Sequence, residues 1–98
     1  MSDDFGGFAP PPFKVDEALT QIRRSLRDLE LAERGNAFEL RGKRVIELQM
    51  NAGAIDVRIA RKLALTPEWD RMAVRSAPEQ RKLIDELKRR LARWEREE

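Results

Sequence analysis

The sequence predicts a small domain of the α+β class, in which a helix, a four-stranded antiparallel meander and a second helix follow one another. Apolar residues recur every three or four positions near both ends of the chain, which is the period of an amphipathic helix. Between these segments they alternate with polar residues, as in strands with one buried face. Because the connections are short, we expect antiparallel neighbours and both helices on one sheet face.

The first helix is predicted over residues 15–34. Asp16 and Glu17 lie in its first turn, where negative charge interacts favourably with the helix dipole. Gly35 and Asn36 readily adopt a left-handed backbone and are the predicted stop signal. The apolar positions of this helix are Val15, Ala18, Leu19, Ile22, Leu26 and Leu29.

Four strands are predicted between residues 38 and 74. Gly42 marks the turn between the first two strands, and residues 51–53 mark the next turn. Pro67 interrupts the alternation because proline cannot donate a ladder hydrogen bond, so only a short fourth strand follows it. The expected core-facing residues are Phe38, Leu40, Ile46, Leu48, Met50, Ile55, Val57, Ile59, Met72 and Val74.

The last helix is predicted to begin after Ser76, whose hydroxyl oxygen is placed to accept an early backbone N–H. Glu79 is placed to reach back in a capping box. We expect Trp94 to continue the apolar stripe and Trp69 to pack at a loop, rather than to serve as interface anchors. The stripe consists of Leu83, Ile84, Leu87, Leu91 and Trp94.

Residues 1–12 are predicted to form a disordered tail, and residues 13–98 a single domain. The tail is rich in glycine and ends in three consecutive prolines, a composition that favours neither a helix nor a central strand. Phe5 and Phe8 stand beside two aspartates, so this segment is a candidate docking peptide for a protein partner. A solubilising terminus with incidental phenylalanines is the alternative interpretation.

The composition excludes several chemistries. The chain contains no cysteine and no histidine, so it lacks thiolate nucleophiles, disulfides, the usual zinc ligands and the side chain best suited to proton transfer near neutrality. No nucleophile paired with a base and no glycine-rich phosphate loop is recognisable. We therefore expect a non-enzymatic protein without a metal or cofactor. A cytoplasmic location is expected, and neither a membrane span nor a secretory signal is recognised.

A basic sheet face is the main candidate binding site. The chain as a whole is nearly balanced, with 20 Lys+Arg against 18 Asp+Glu. Three acids, Glu39, Glu47 and Asp56, are expected on the same face, and no aromatic residue is expected there for base stacking. The candidate nucleic-acid-binding residues, which share the exposed parity of the strands, are Arg41, Arg58, Arg71 and Arg75.

Three short stretches carry a family resemblance. They are residues 43–48, residues 55–58, and Pro78-Glu79-Gln80 followed by Leu83. Together they resemble the positive-cofactor-four type of transcriptional coactivator, in which four antiparallel strands precede a helix opened by a similar Pro-Glu-Gln. The resemblance implies single-stranded DNA held on a basic curved sheet, with homodimerisation through the final helix.

Two hypotheses follow. In the first, the chain binds nucleic acid, preferentially single-stranded DNA, through the arginines of the sheet face. In the second, it is a protein-interaction module that acts through the tail or the final helix. The sequence does not decide between DNA, RNA and protein as the partner.

Overall fold

The computed structural model describes residues 13–96, so the predicted tail lies outside the described residues. The α+β class is confirmed. The sheet has five strands, and the prediction of four is therefore wrong. The elements, in chain order, are α1 (Val15–Asp28), β1 (Ala32–Arg34), β2 (Ala37–Leu40), β3 (Lys43–Asn51), β4 (Ala54–Ala60), β5 (Trp69–Val74) and α2 (Ala77–Arg96).

Helix α1 ends six residues earlier than predicted, at Asp28. Glu30 adopts a left-handed backbone, with φ at 67°. Its N–H donates to the carbonyl of Arg27, and the N–H of Leu31 donates to the carbonyl of Leu26, at 2.9 and 3.2 Å. This pair of bonds is a Schellman motif, which usually has glycine at the left-handed position. Because this position holds a glutamate, the sequence contains no glycine that would mark the end of the helix.

Strand β1 is not predicted by the sequence pattern. Its residues are all exposed, so no alternation of apolar and polar residues marks it. Gly35, with φ at 62°, turns the chain into β2 instead of ending a helix. Glu33 accepts hydrogen bonds from Arg23 and Arg27 of α1. These two guanidinium groups lower the pKa of Glu33, and the ion pairs connect the edge strand to the helix.

The sheet is an antiparallel meander in the order β1-β2-β3-β4-β5. The register pairs Ile46 with Ile59 and Leu48 with Val57 across β3 and β4. A register shift between β2 and β3 lies opposite Val45 and Ile46, and both of these residues are buried. A bulge of this kind turns two consecutive side chains toward one face.

One hydrophobic core lies between the sheet and the two helices. Phe13 packs against it as the first described residue. The predicted placement of Trp94 in the apolar stripe is confirmed, since this residue is 2% exposed. The largest fully buried side chains of the core are those of Trp94, Phe38, Ile22, Leu26, Ile46, Leu48, Ile55, Ile59, Leu83, Leu87, Val45 and Val57. The opposite face of the sheet carries no helix among the described elements.

The start of α2 agrees with the capping box. The Ser76 hydroxyl accepts a hydrogen bond from the N–H of Glu79 at 3.3 Å. The Glu79 carboxylate accepts one from the N–H of Arg75 at 2.6 Å, one residue before the serine. Two backbone donors near the helix start are thus satisfied.

Arg90 connects α2 to the sheet. Its guanidinium donates to the carbonyl of Ala60 and to the carboxylate of Glu86, and it forms an ion pair with Asp70 at 2.9 Å. The Arg90 side chain is only 13% exposed. Arg90 and then Arg89 lower the pKa of Glu86, whereas the pKa of Asp70 is lowered first by Arg61 and then by Arg90.

Within residues 13–96, neither helix combines the length and the apolar composition that crossing a membrane requires.

Replacing Glu30 by glycine is expected to stabilise the domain by about 0.5–1 kcal/mol. The left-handed backbone costs an L-residue about 1–2 kcal/mol, and the greater flexibility of glycine in the unfolded chain offsets about 0.5–1 kcal/mol of that gain. Urea unfolding measures the difference. Glu30→Ala is the control, because it removes the charge but keeps the backbone strain. Equal stability of the two variants would show that the strain is absent.

Replacing Arg90 by glutamine is expected to raise the pKa of Glu86 more than that of Asp70, which keeps Arg61. The lowered carboxyl pKa values contribute stability that is present above the ordinary carboxyl pKa and is lost as the pH falls through the lowered values. The variant should therefore lose less stability over that acidic range. Carbon-13 NMR titration of the carboxyl groups measures both values, with Arg93→Gln as the control. An unchanged Glu86 pKa in Arg90→Gln would contradict the assignment.

Candidate binding groove

A groove of about 640 Å³ crosses β3, β4 and β5 on the sheet face that the helices leave open. The register brings its polar side chains together. Glu47 pairs with Arg58, and Gln49 pairs with Asp56, across β3 and β4. Arg58 in turn pairs with Arg71 of β5. We refer to this site, centred on Glu47, Asp56, Arg58 and Arg71, as the open-face groove.

The structure brings together two of the four arginines proposed from the sequence. Arg58 and Arg71 line the open-face groove. Arg41 lies in the turn between β2 and β3, with φ at 55°, and not on a strand. Arg75 follows the last residue of β5, and its backbone N–H contributes to the start of α2. The prediction that all four arginines share one face of the strands is therefore correct for Arg58 and Arg71 and wrong for the other two, which do not lie on a strand.

Glu47 holds Arg58 in place. Its carboxylate accepts hydrogen bonds from Nε and Nη2 of Arg58, at 3.2 and 2.5 Å, and one from Arg44 at 2.9 Å. The Glu47 side chain is 12% exposed, and that of Arg58 is 43% exposed. Because the carboxylate binds two nitrogens of one planar group, it fixes the orientation of the guanidinium plane.

Trp69 lies under this guanidinium. The carbon at the centre of the Arg58 guanidinium is 5.3 Å from the centroid of the Trp69 ring, within the range of a cation–π interaction. The expectation that the open face has no aromatic residue is therefore wrong. Trp69 begins β5 and pairs with Ala60, which gives it the same parity as Arg58. Because Pro67 lies two residues earlier, the sequence predicted a loop at Trp69, and the side chain was not assigned to either face of the sheet.

Arg71 is the exposed cation of the groove. Among residues 13–96 it forms no ion pair with a carboxylate, although it lies beside Arg58 in the register. Two neighbouring like charges on one face repel each other, and an anion bound between them would relieve that repulsion. Arg71 therefore has its five donors available to a ligand.

The groove is balanced in charge. Glu47 and Asp56 carry two negative charges, and Arg58 and Arg71 carry two positive charges. Asp56 accepts a hydrogen bond from the side-chain amide of Asn51 at 3.0 Å. The positive charge available to a ligand is therefore local, at Arg71 and at the outer side of Arg58, and does not extend over the whole face.

This arrangement combines two kinds of contact. A planar guanidinium supported by an indole offers its other side to a second flat ring. The neighbouring Arg71 offers a fork of donors that matches a phosphate or a carboxylate. The site therefore suits a ligand that has a flat ring next to an anionic group.

Phe5 and Phe8, the candidate docking residues of the tail, lie outside the described residues. Their proposed contact with a protein partner stays a prediction.

Replacing Glu47 by alanine is expected to lower the free energy of unfolding by about 1 kcal/mol. The substitution removes a largely buried carboxylate and its three charge-assisted hydrogen bonds, whose contribution is reduced because both arginines are substantially exposed. Glu68→Ala is the control, since Glu68 is 83% exposed and lies 3.7 Å from Arg61. That variant should be nearly as stable as the native chain in urea unfolding. Equal losses in the two variants would show that Glu47 does not organise the groove.

Comparison of the chain with known protein families, with curated proteins and with solved structures finds no match. The resemblance to the positive-cofactor-four type of coactivator therefore stays a prediction from short motifs.

Proposed function

We propose that this chain is a non-catalytic binding domain for single-stranded nucleic acid, and that the open-face groove is its binding site. The observation that carries the proposal is the guanidinium of Arg58 placed over Trp69, beside Arg71, which forms no ion pair with a carboxylate of residues 13–96. In a single strand every nucleotide has a flat base next to a phosphate, which is the ligand chemistry that this pair of side chains favours.

The stacking contact provides most of the affinity in this proposal. An unpaired base has an exposed ring, whereas a base in a duplex is stacked between its neighbours and cannot reach the guanidinium. Stacking of one base on an aromatic side chain contributes about 1–3 kcal/mol, and an arginine adds a cation–π contribution. The groove therefore favours single strands over duplexes.

The phosphate contacts are few. Among the described residues that line the groove, only Arg58 and Arg71 are positively charged, and Glu47 and Asp56 oppose a longer anionic strand. For single strands the salt slope of log K is about −0.7 per neutralised phosphate. Two contacts therefore correspond to a slope of about −1.4. The proposed site should bind moderately and depend only weakly on salt.

A purely binding role agrees with the side chains that the chain offers. It has no cysteine and no histidine. Among residues 13–96, no group of three or more acidic side chains is arranged to hold a metal ion. We also propose a cytoplasmic location, because a chain without cysteine requires no oxidising compartment. A homodimer, if it forms, would have to leave the open-face groove uncovered to allow the strand to enter.

The proposal is tested with a fluorescein-labelled thymidine 20-mer by fluorescence anisotropy. The native chain should bind with a salt slope of about −1.4. The double variant Arg58→Glu/Arg71→Glu should bind roughly 10–100-fold more weakly, because it loses the stacking plane and both cations.

The matched control is Arg24→Glu/Lys62→Glu, which changes the net charge by the same amount. Arg24 and Lys62 are exposed residues that form no ion pair with any carboxylate of residues 13–96. This variant should bind like the native chain. Absence of binding at low salt, or equal losses in the two variants, would overturn the proposal.

A further inference from the structure

The outward side of α2 carries a dense row of cations that the open-face groove does not use. Six exposed basic residues lie on it: Arg81, Lys82, Lys88, Arg89, Arg93 and Arg96. We refer to these six residues as the basic outer face. The acidic residues exposed along the same helix are Asp85 and Glu95.

Packing of the helix determines which side faces outward. Leu83, Leu87 and Trp94 are buried in the core and hold one side of α2 against the sheet. With 3.6 residues per turn, Arg81, Lys88 and Arg96 lie along one line on the opposite side, with Asp85 and Ala92 between them. Lys82, Arg89 and Arg93 lie just beside this line. The row extends over fifteen residue steps, or about 22 Å at about 1.5 Å per residue.

Most of these charges are not neutralised. Arg89 pairs with Glu86 at 2.7 Å. The other five cations form no ion pair with a carboxylate of residues 13–96. Helix α1 differs, because its Arg23 and Arg27 are both paired with Glu33. Asp85 and Glu95 offset only part of the charge of six cations, and an anionic partner relieves the repulsion that remains along the row.

We propose that the basic outer face binds the phosphate backbone of double-helical nucleic acid. A duplex is a stiff anionic rod with one charge per roughly 1.7 Å of its axis, so about 13 phosphate charges lie alongside a row of about 22 Å. Contacts of this kind involve charge and position, and do not read the base sequence.

Two features of the face favour a duplex over other anionic partners. Trp94 is the only aromatic residue of α2, and it is buried, so the face has no platform on which an unstacked base could lie. The apolar side of α2 is also buried in the core and cannot enter the acyl region of a membrane. The basic outer face can therefore bind a partner only through its charges, which lie along a straight helix.

The two proposed sites lie on opposite sides of the molecule. The open-face groove is on the sheet face away from the helices, and the basic outer face is on the far side of α2. The inference about α2 does not rest on the proposed function of the groove. Together, the two sites would allow one chain to hold a single strand and a neighbouring duplex at once.

The experiment uses a fluorescein-labelled 20-base-pair duplex and the thymidine 20-mer, each between 50 and 200 mM salt. Five unpaired cations predict a duplex salt slope of about −4.5, since each contact contributes about −0.9. Duplex affinity should therefore fall about 500-fold over this range. Lys88→Glu/Arg93→Glu should reduce the slope to about −2.7 by removing two contacts.

Three double variants with the same change in net charge separate the two sites. Lys88→Glu/Arg93→Glu should weaken duplex binding much more than binding of the 20-mer. Arg58→Glu/Arg71→Glu should do the reverse, and Arg24→Glu/Lys62→Glu should alter neither. All substituted residues of α2 are exposed, and far-UV circular dichroism verifies that each variant is folded.

The results that would overturn this inference differ from those that would overturn the proposed function of the groove. The inference is overturned if the duplex does not bind at 50 mM salt, or if the control variant weakens duplex binding as much as the α2 variant does. Tighter binding to vesicles containing phosphatidylserine than to the duplex, measured at the same salt, would also overturn it, by identifying a membrane surface as the partner.

Discussion

Burial of both helical stripes against one face of the sheet is the constraint on which the rest of the structure depends. The core holds Ile22 and Leu26 of α1 together with Leu83 and Leu87 of α2, and they pack on the same side of the strands. Once that side is occupied, the alternation of the strands sends Arg58 and Arg71 to the other side. The same packing turns the cations of α2 outward. Both candidate sites are thus consequences of how the apolar residues are buried.

Charge pairing decides what these two surfaces can bind. In the open-face groove a carboxylate lies beside the arginine, and Glu47 holds the Arg58 guanidinium in one orientation over the ring of Trp69. On the outer side of α2, Arg89 pairs with Glu86, and the other five cations form no ion pair with a carboxylate of residues 13–96. The first environment favours recognition of shape and stacking, with little dependence on salt. The second favours long-range attraction of a polyanion, which salt screens strongly.

Strongly periodic segments were predictable because burial itself produces the period. Most core positions of β3 and β4, and the stripe of α2 that ends in Trp94, were identified from the sequence for this reason, but Met50, which was expected in the core, is 51% exposed, and Val45, which was not, is buried. The failures have physical causes as well. Strand β1 has no buried residue to create a pattern, and Glu30 occupies a left-handed position that is usually glycine. Trp69 was assigned to a loop because β5 begins only two residues after Pro67.

The sequence by itself determined the α+β class, the position of the capping box and the absence of cysteine and histidine chemistry, because periodicity, local hydrogen bonds and composition are properties of neighbouring residues. Only the tertiary structure decided which arginines meet. Arg58 lies beside Arg71 and over Trp69 because of the pairing register of β4 and β5. Arg41 does not line the groove, because it lies in the turn between β2 and β3. Register depends on contacts between residues distant in the chain, which no local pattern encodes.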